Sequence, residues 1–295
     1  MIDRFEYGAG SLVILCHGAA SHSGQWKALI ELLSPDFHVV AFDQYGYRHS
    51  TAWSQPRPML YQDQAAPIID FIRSKIAQTR STNTELNNES STEQQNVKRL
   101  QNRIKVHLVG HSHGASIATN IALALGSQVT SLSLYEPNSF TALKNDPIRH
   151  GAYQQILQEF GDLEKRVSSL EDQTRFAKDL MNFWLGPDQW SSLSSRQQAQ
   201  LISVMPQTVH EVYAALHSPF DIQALKTLKS RVLMMYDPFT PLRARMVSEH
   251  YAATLSQAHI KLFKGYRHLA PITHAQQVNQ VIQQHISKWE SDQSE

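Results

Sequence analysis

The sequence predicts an α/β protein: a mostly parallel central sheet flanked by helices, with an all-helical segment inserted into it. Three observations predict this. Short apolar runs rich in Val, Ile and Leu recur without polar alternation, as strands buried on both faces require. Helical patterns lie between those runs, which gives right-handed crossovers. One long stretch, about 139–224, contains helical patterns but no convincing strand.

The strand signals, in order, are LVILC (12–16), HVVAFD (38–43), KVHLVG (105–110), TSLSLYE (130–136), RVLMMYD (231–237) and HIKLFKG (259–265). Trp26, Leu29, Ile30 and Leu33 share one helical face, as do Ile68, Ile69, Ile72 and Ile76. A last helix runs from His274 to Trp289, with Val278, Val281, Ile282 and Ile286 on its apolar side. Residues 77–100 are polar and nearly free of aromatic and β-branched aliphatic residues, so they read as a flexible surface insertion. The predicted organisation is a core of 1–138 and 225–295 and a helical cap of 139–224, with stretches such as YQQILQEF, RFAKDLMNFWL and VHEVYAAL.

Composition narrows the function classes. The chain has 295 residues, 27 basic and 26 acidic, for a net charge of +1. That balance gives no electrostatic reason to expect a nucleic acid or an anionic membrane as partner. The single cysteine, Cys16, excludes an internal disulfide and suits a reducing compartment. The first apolar run is too short for a signal peptide or a membrane span, so a soluble, cytoplasmic protein is expected.

GHSHG (110–114) carries the chemistry. A strand enters it, a small-residue helix leaves it, and G-x-S-x-G in that setting lifts a serine hydroxyl onto a sharp turn. Ser112 is the expected nucleophile; the plain alternative is a Gly-Ser turn. A serine needs a base, and the base needs an orienting acid. GYRHLAPITH offers His268, in the loop after the last strand, where sites form in open α/β sheets, and His274, which reads better as a capping or packing residue. Two carboxylates directly follow strands: Asp237 in YDPFTP and Glu136 in YEPNSF. Asp237 is preferred and Glu136 stays open; the one not used is expected to hydrogen-bond in the pocket. The oxyanion needs two N–H donors. One is the His113 N–H; the other comes from CHGAASH, from Ala19 or, failing that, Ala20, with His17 bracing the loop.

Other readings are weaker. The 15 histidines include His111 and His113 two apart, but no metal-ligand spacing such as H-E-x-x-H exists, so no metal and no cofactor are expected. Cys16 closes a buried strand and reads as packing. Phe183, Trp184 and Trp190 in the cap read as core aromatics first and as cleft residues second.

LCHGAASHSGQW, AFDQYGYRHS, LVGHSHG, YDPFTP and GYRHLAP, taken together, resemble the α/β-hydrolase superfamily over nearly the whole chain outside 77–100. FWLGPDQW and HLAPITHAQQVN resemble a bacterial, helical-cap branch of it that uses a serine nucleophile. The resemblance implies a parallel-rich sheet of up to eight strands, a helical cap and a Ser–His–acid triad. Three departures stand out: only MIDRFEYG is available for amino-terminal strands; QYGYRHS replaces a simpler Gly-x-Gly-x-Ser turn; and the Asp237 loop is short and lacks the usual glycine. The expected activity is hydrolysis of a small-molecule carboxylic ester or related acyl compound through an acyl-enzyme. A thioesterase, lactonase, carbon–carbon bond hydrolase or acyltransferase would use the same parts. A ligand receptor with slow or no turnover is the reading from a different class.

Overall fold

The computed structural model describes residues 1–85, 104–255 and 257–291. Seven strands form one sheet in the order β1-β3-β2-β4-β5-β6-β7. They are β1 (Asp3–Tyr7), β2 (Leu12–Cys16), β3 (His38–Asp43), β4 (Val106–His111), β5 (Ser131–Tyr135), β6 (Arg231–Tyr236) and β7 (His259–Leu262). Only β1 runs antiparallel, paired with β3; every other pairing is parallel. MIDRFEYG thus builds one short edge strand.

Two apolar layers explain the unbroken strand runs. Leu12, Ile14 and Cys16 of β2 face a core shared with α2 (Tyr61–Glu85) and α3 (His113–Leu125). Val13 and Leu15 face the opposite core, closed by α1 (Lys27–Leu33) and the last helix. A strand with cores on both sides gains nothing from polar alternation. The outer strand β7 departs from this expectation: all four of its residues are exposed. It is an edge strand, and Lys261 in its middle belongs to that position.

Between β5 and β6 the chain forms α4 (His150–Phe160), α5 (Leu170–Leu185), α6 (Ser195–Ser203) and α7 (Met205–His217), with no strand among the described residues there. Local chemistry starts these helices. Ser169 caps α5 by accepting from Asp172 N–H, and Ser194 with Gln197 forms a reciprocal capping box on α6. After β6 come α8 (Leu242–Thr254), a short α9 (Ala270–Thr273) and α10 (Ala275–Ser291). Helix α2 continues to Glu85, so the start of the polar stretch 77–100 is helical; the part from residue 86 lies outside the described residues. No helix among the described residues is long and apolar enough to cross a membrane.

Candidate active site

Three neighbouring parallel strands deliver the site to their carboxyl ends. β4 ends at His111 and hands the chain to Ser112; β5 ends at Tyr135 and hands it to Glu136; β6 ends at Tyr236 and hands it to Asp237. Ser112 sits at φ 53, between a strand and the first turn of α3. The two glycines make this corner possible. A Cβ on Gly110 would run into the backbone of Gly114 and Ala115, and one on Gly114 into the carbonyls of Cys16 and His17. Helix α3 therefore starts in direct contact with the end of β2.

The Ser112 hydroxyl donates to His268 Nε2 at 3.0 Å, and His268 Nδ1–H donates to Glu136 Oε2 at 2.7 Å. All three are buried: Ser112 is 4% exposed, Glu136 1% and His268 5%. The other Glu136 oxygen, Oε1, accepts from Asp237 N–H and from the Thr240 hydroxyl, both at 2.8 Å. The carboxylate is thus held on both oxygens, with one face given to the imidazole.

Asp237, the preferred acid of the sequence reading, is placed differently. Its Oδ1 accepts from Phe239 N–H (2.9 Å) and Gly265 N–H (3.1 Å), and its Oδ2 from Arg267 N–H (2.6 Å). It makes no hydrogen bond to His268 among the described residues. Its carboxylate shapes the loop that carries the histidine, in particular Arg267 at φ 62. The structure therefore gives Glu136 the position beside the imidazole and Asp237 a supporting one. His274 stacks on Tyr266 at 4.2 Å and bonds Thr273, one residue before α10 and away from Ser112.

The histidines of GHSHG are both buried and uncharged. His111 donates from Nε2 to the His268 carbonyl (2.9 Å) and accepts at Nδ1 from Gln25 (3.4 Å). Gln25 also accepts the Gly18 N–H at 3.0 Å, so a hydrogen-bonded series joins the β2 turn to the His268 backbone. Burial lowers the His111 pKa, and pushes His113 down to about 3 and His17 to about 4. His17 braces its turn by donating to the Gly18 carbonyl and accepting from Gln44 N–H.

Two backbone donors are available. His113 is the first residue of α3, so its N–H has no intrahelical acceptor. The turn after β2 lies against the elbow: a Cβ on Gly18 would stand 3.5 Å from the Ser112 Cβ. In that turn the Ala20 N–H is occupied, by the Tyr47 hydroxyl (2.9 Å) and Glu211 Oε2 (3.2 Å), while Ala19 N–H donates to no group among the described residues. Among the described residues, four of the six non-glycine residues with positive φ belong to this region: Ala20, Ser112, Glu136 and Arg267. Strained backbone of this kind gathers where side chains must be held in unusual directions.

Two further residues stand at the site: Trp184, read from the sequence as core first and cleft second, and Glu211, which the sequence reading missed. Trp184 of α5 lies flat on His268, ring centres 3.7 Å apart and planes 17° apart, while Phe183 and Trp190 pack in the apolar core. Glu211 of α7 reaches the turn after β2. Helical periodicity marks both positions as inward-facing and says nothing about what they meet.

Residues 13–281 match the profile of the family described as "Alpha/beta hydrolase family". The chain belongs to the alpha/beta hydrolase family. The sheet order and the single antiparallel edge strand are those of this α/β-hydrolase fold, and solved structures of the same fold align along almost the whole chain. MenH from S. aureus aligns with a TM-score of 0.69 at 15% identity, covering 98% of this chain and 99% of its own. A thermophilic esterase from Thermogutta terrifontis gives 0.69 at 18%, covering 98% and 93%. A hydrolase from Oleispira antarctica gives 0.68 at 17%, covering 98% and 94%. No curated protein is detectably similar in sequence. Within the hydrolase family these likenesses carry the fold; the chemistry has to come from the residues.

Proposed function

We propose that this α/β hydrolase is a serine hydrolase that cleaves a small carboxylic ester or related acyl compound. One observation carries the reading: an unbroken hydrogen-bonded series from the Ser112 hydroxyl through His268 to Glu136, standing on a strained turn beside free N–H groups. Ser112 Oγ attacks the acyl carbon while His268 Nε2 takes its proton. Glu136 holds the ring by its Nδ1–H and stabilises the imidazolium that forms. The N–H groups of Ala19 and His113 receive the carbonyl oxygen as it becomes an oxyanion. The proton on Nε2 then passes to the leaving alkoxide. Water, deprotonated by the same nitrogen, releases the acid and returns Ser112. The Trp184 indole lying on the imidazole suits an apolar acyl or alcohol group.

A panel of p-nitrophenyl esters of increasing chain length tests this, together with a fluorophosphonate probe. Turnover with stoichiometric labelling at Ser112 is expected. Labelling of another residue would overturn Ser112 as nucleophile, and ligand binding without turnover would replace the enzyme by the receptor reading.

A further inference from the structure

Besides Asp237, which holds the His268 loop, the reaction above leaves a further buried carboxyl of the site unused. Glu211 lies on α7, in the helical insertion, and is fully buried. Its Oε2 accepts from the Tyr47 hydroxyl at 2.6 Å and from the Ala20 N–H at 3.2 Å, and Tyr47 itself accepts the same N–H at 2.9 Å. Ala20 is held at φ 55, a conformation an alanine keeps only where its surroundings enforce it. It directly follows Ala19, the proposed donor to the oxyanion. Tyr47 stands in QYGYRHS, the turn where the sequence departs from the simpler form of its superfamily. Gln207, one helical turn before Glu211, lies against Gly46 of that same turn, where a Cβ would collide with it.

We propose that Glu211 is a positioning residue for the oxyanion hole: from the helical insertion it pins Ala20 in its left-handed conformation and so aims the Ala19 N–H at the substrate carbonyl. The inference rests on the serine-hydrolase reading. It makes the hole a joint product of core and cap, complete only when α7 is seated on the turn.

The electrostatics of the position agree with this role. Burial pushes the Glu211 pKa up to about 8, so at neutral pH the carboxyl is uncharged beside the place where negative charge develops. The ionisable groups around it are Tyr47, Tyr61 on α2 and, against the Tyr47 ring, His17. The two phenols are raised by burial and by Glu211, and His17 is held uncharged. No Lys or Arg bonds Glu211 among the described residues. Above pH 8 the carboxylate would oppose the oxyanion directly, so kcat is expected to fall there.

The test uses the full-length chain, p-nitrophenyl butyrate, and phenylboronic acid as a mimic of the tetrahedral adduct. Glu211→Leu should lower kcat by ~10- to 100-fold, leave KM within ~2-fold, and weaken the boronic acid in parallel. Glu211→Gln keeps an acceptor oxygen for Ala20 and Tyr47; it should keep kcat within ~3-fold at pH 7 and lose the fall above pH 8. Tyr47→Phe should give a smaller kcat loss of the same kind. A Leu variant with wild-type kcat and boronic-acid affinity overturns the proposal. So does a change in KM alone, or a Gln variant as impaired as the Leu one. Should the Leu variant fail to fold, the Gln pH profile and the Tyr47→Phe kcat decide. A wild type that is neither active nor labelled at Ser112 removes the parent reading and this one together. An active wild type with indifferent Glu211 variants removes this one alone.

Discussion

Two Ser–His–Glu arrays stand at opposite edges of the same sheet. At the carboxyl edge, Ser112 and His268 are 3.0 Å apart, and His268 and Glu136 2.7 Å. At the amino edge, Ser131 and His107 are 2.7 Å apart, and His107 and Glu290 3.1 Å. The residue types agree and the distances nearly do; the backbone does not. Ser112 stands on a left-handed turn with the first N–H groups of α3 beside it. Ser131 is an internal strand residue, fully buried and paired in register with His107 itself. Glu136 is buried and held by two further donors, whereas the Glu290 side chain is 35% exposed at the end of α10 and also accepts from Ser11. The rings are reversed too: Nε2 meets the serine in one array and Nδ1 in the other. A hydrogen-bonded series of suitable residues is therefore not a reaction centre by itself. The left-handed turn, with the unpaired first N–H of α3 beside it, separates the two.

The sharpest way to break this comparison is to remove each serine. Ser112→Ala should cut kcat by about 10⁴- to 10⁶-fold with the fold intact. Ser131→Ala should leave ester turnover unchanged and lower unfolding free energy by about 1 kcal/mol, the usual net worth of a buried hydrogen bond. Steady-state kinetics and urea melts on both variants are sufficient. Activity lost at Ser131 with an unshifted melt would contradict the assignment of the amino-edge array as a staple.

The two carboxylates come next. Glu136→Gln should reduce kcat/KM by ~10³- to 10⁴-fold, because an amide at that position offers His268 either a donor or a neutral acceptor. Asp237→Asn should cost only ~10-fold, because it loosens the loop of Arg267 and Gly265 without touching the imidazole. It should also lower the melting temperature, since an NH₂ replaces an acceptor of a backbone N–H. The reverse ranking would move the acid back to Asp237.

That pair also marks how far the sequence could be read. The strands β2 to β7, the elbow, the loop that carries His268 and the helical stretch between β5 and β6 follow from apolar runs and from where polar residues interrupt them. The choice between Glu136 and Asp237 does not, because each directly follows one of two adjacent parallel strands. It is decided by Glu136 taking φ 45, which turns its side chain toward the imidazole, and by Asp237 being used up by three backbone donors. Local sequence carries neither fact. β7 misled for a related reason: HIKLFKG reads like its neighbours, and only the final strand order makes it an edge. Glu211 left one trace, the unusual QYGYRHS turn, whose Tyr47 is its partner.

Acid should act through buried histidines at both edges. His107 is buried and its pKa is lowered, first by burial, with Glu290 partly opposing. His285 nearby is pushed down to about 4, as is His17, and His113 to about 3. In each case the folded value lies below the unfolded one, near 6.5. Between the two the unfolded chain binds protons that the native chain refuses, so this stability is present above pH 6.5 and lost as the pH falls below it. At pH 5 the loss is on the order of 2 kcal/mol for each histidine moved to about 4 or lower. Urea melts at pH 7 and pH 5 measure it. His107→Gln, which keeps a partner for Ser131, should flatten the slope without changing turnover at pH 7. An unchanged slope would remove His107 from the set.

The smallest effect concerns what each imidazole rests on. His107 meets Phe37 edge-on at 6.0 Å, whereas His268 lies flat under the Trp184 indole at 3.7 Å. In the proposed reaction only His268 becomes an imidazolium, and the π-face of an indole stabilises a cation held against it. An attraction of about 0.5–2 kcal/mol, felt by the charged ring and not by the neutral one, raises kcat rather than tightening KM. Trp184→Leu should therefore lower kcat by ~3- to 30-fold and leave KM nearly unchanged, with Trp184→Phe in between. If Trp184 serves only to wall the acyl pocket, the loss appears in KM and grows with acyl chain length. Running the Leu and Phe variants over the ester panel separates the two, and Phe37→Leu, at the other edge, should alter neither kcat nor KM.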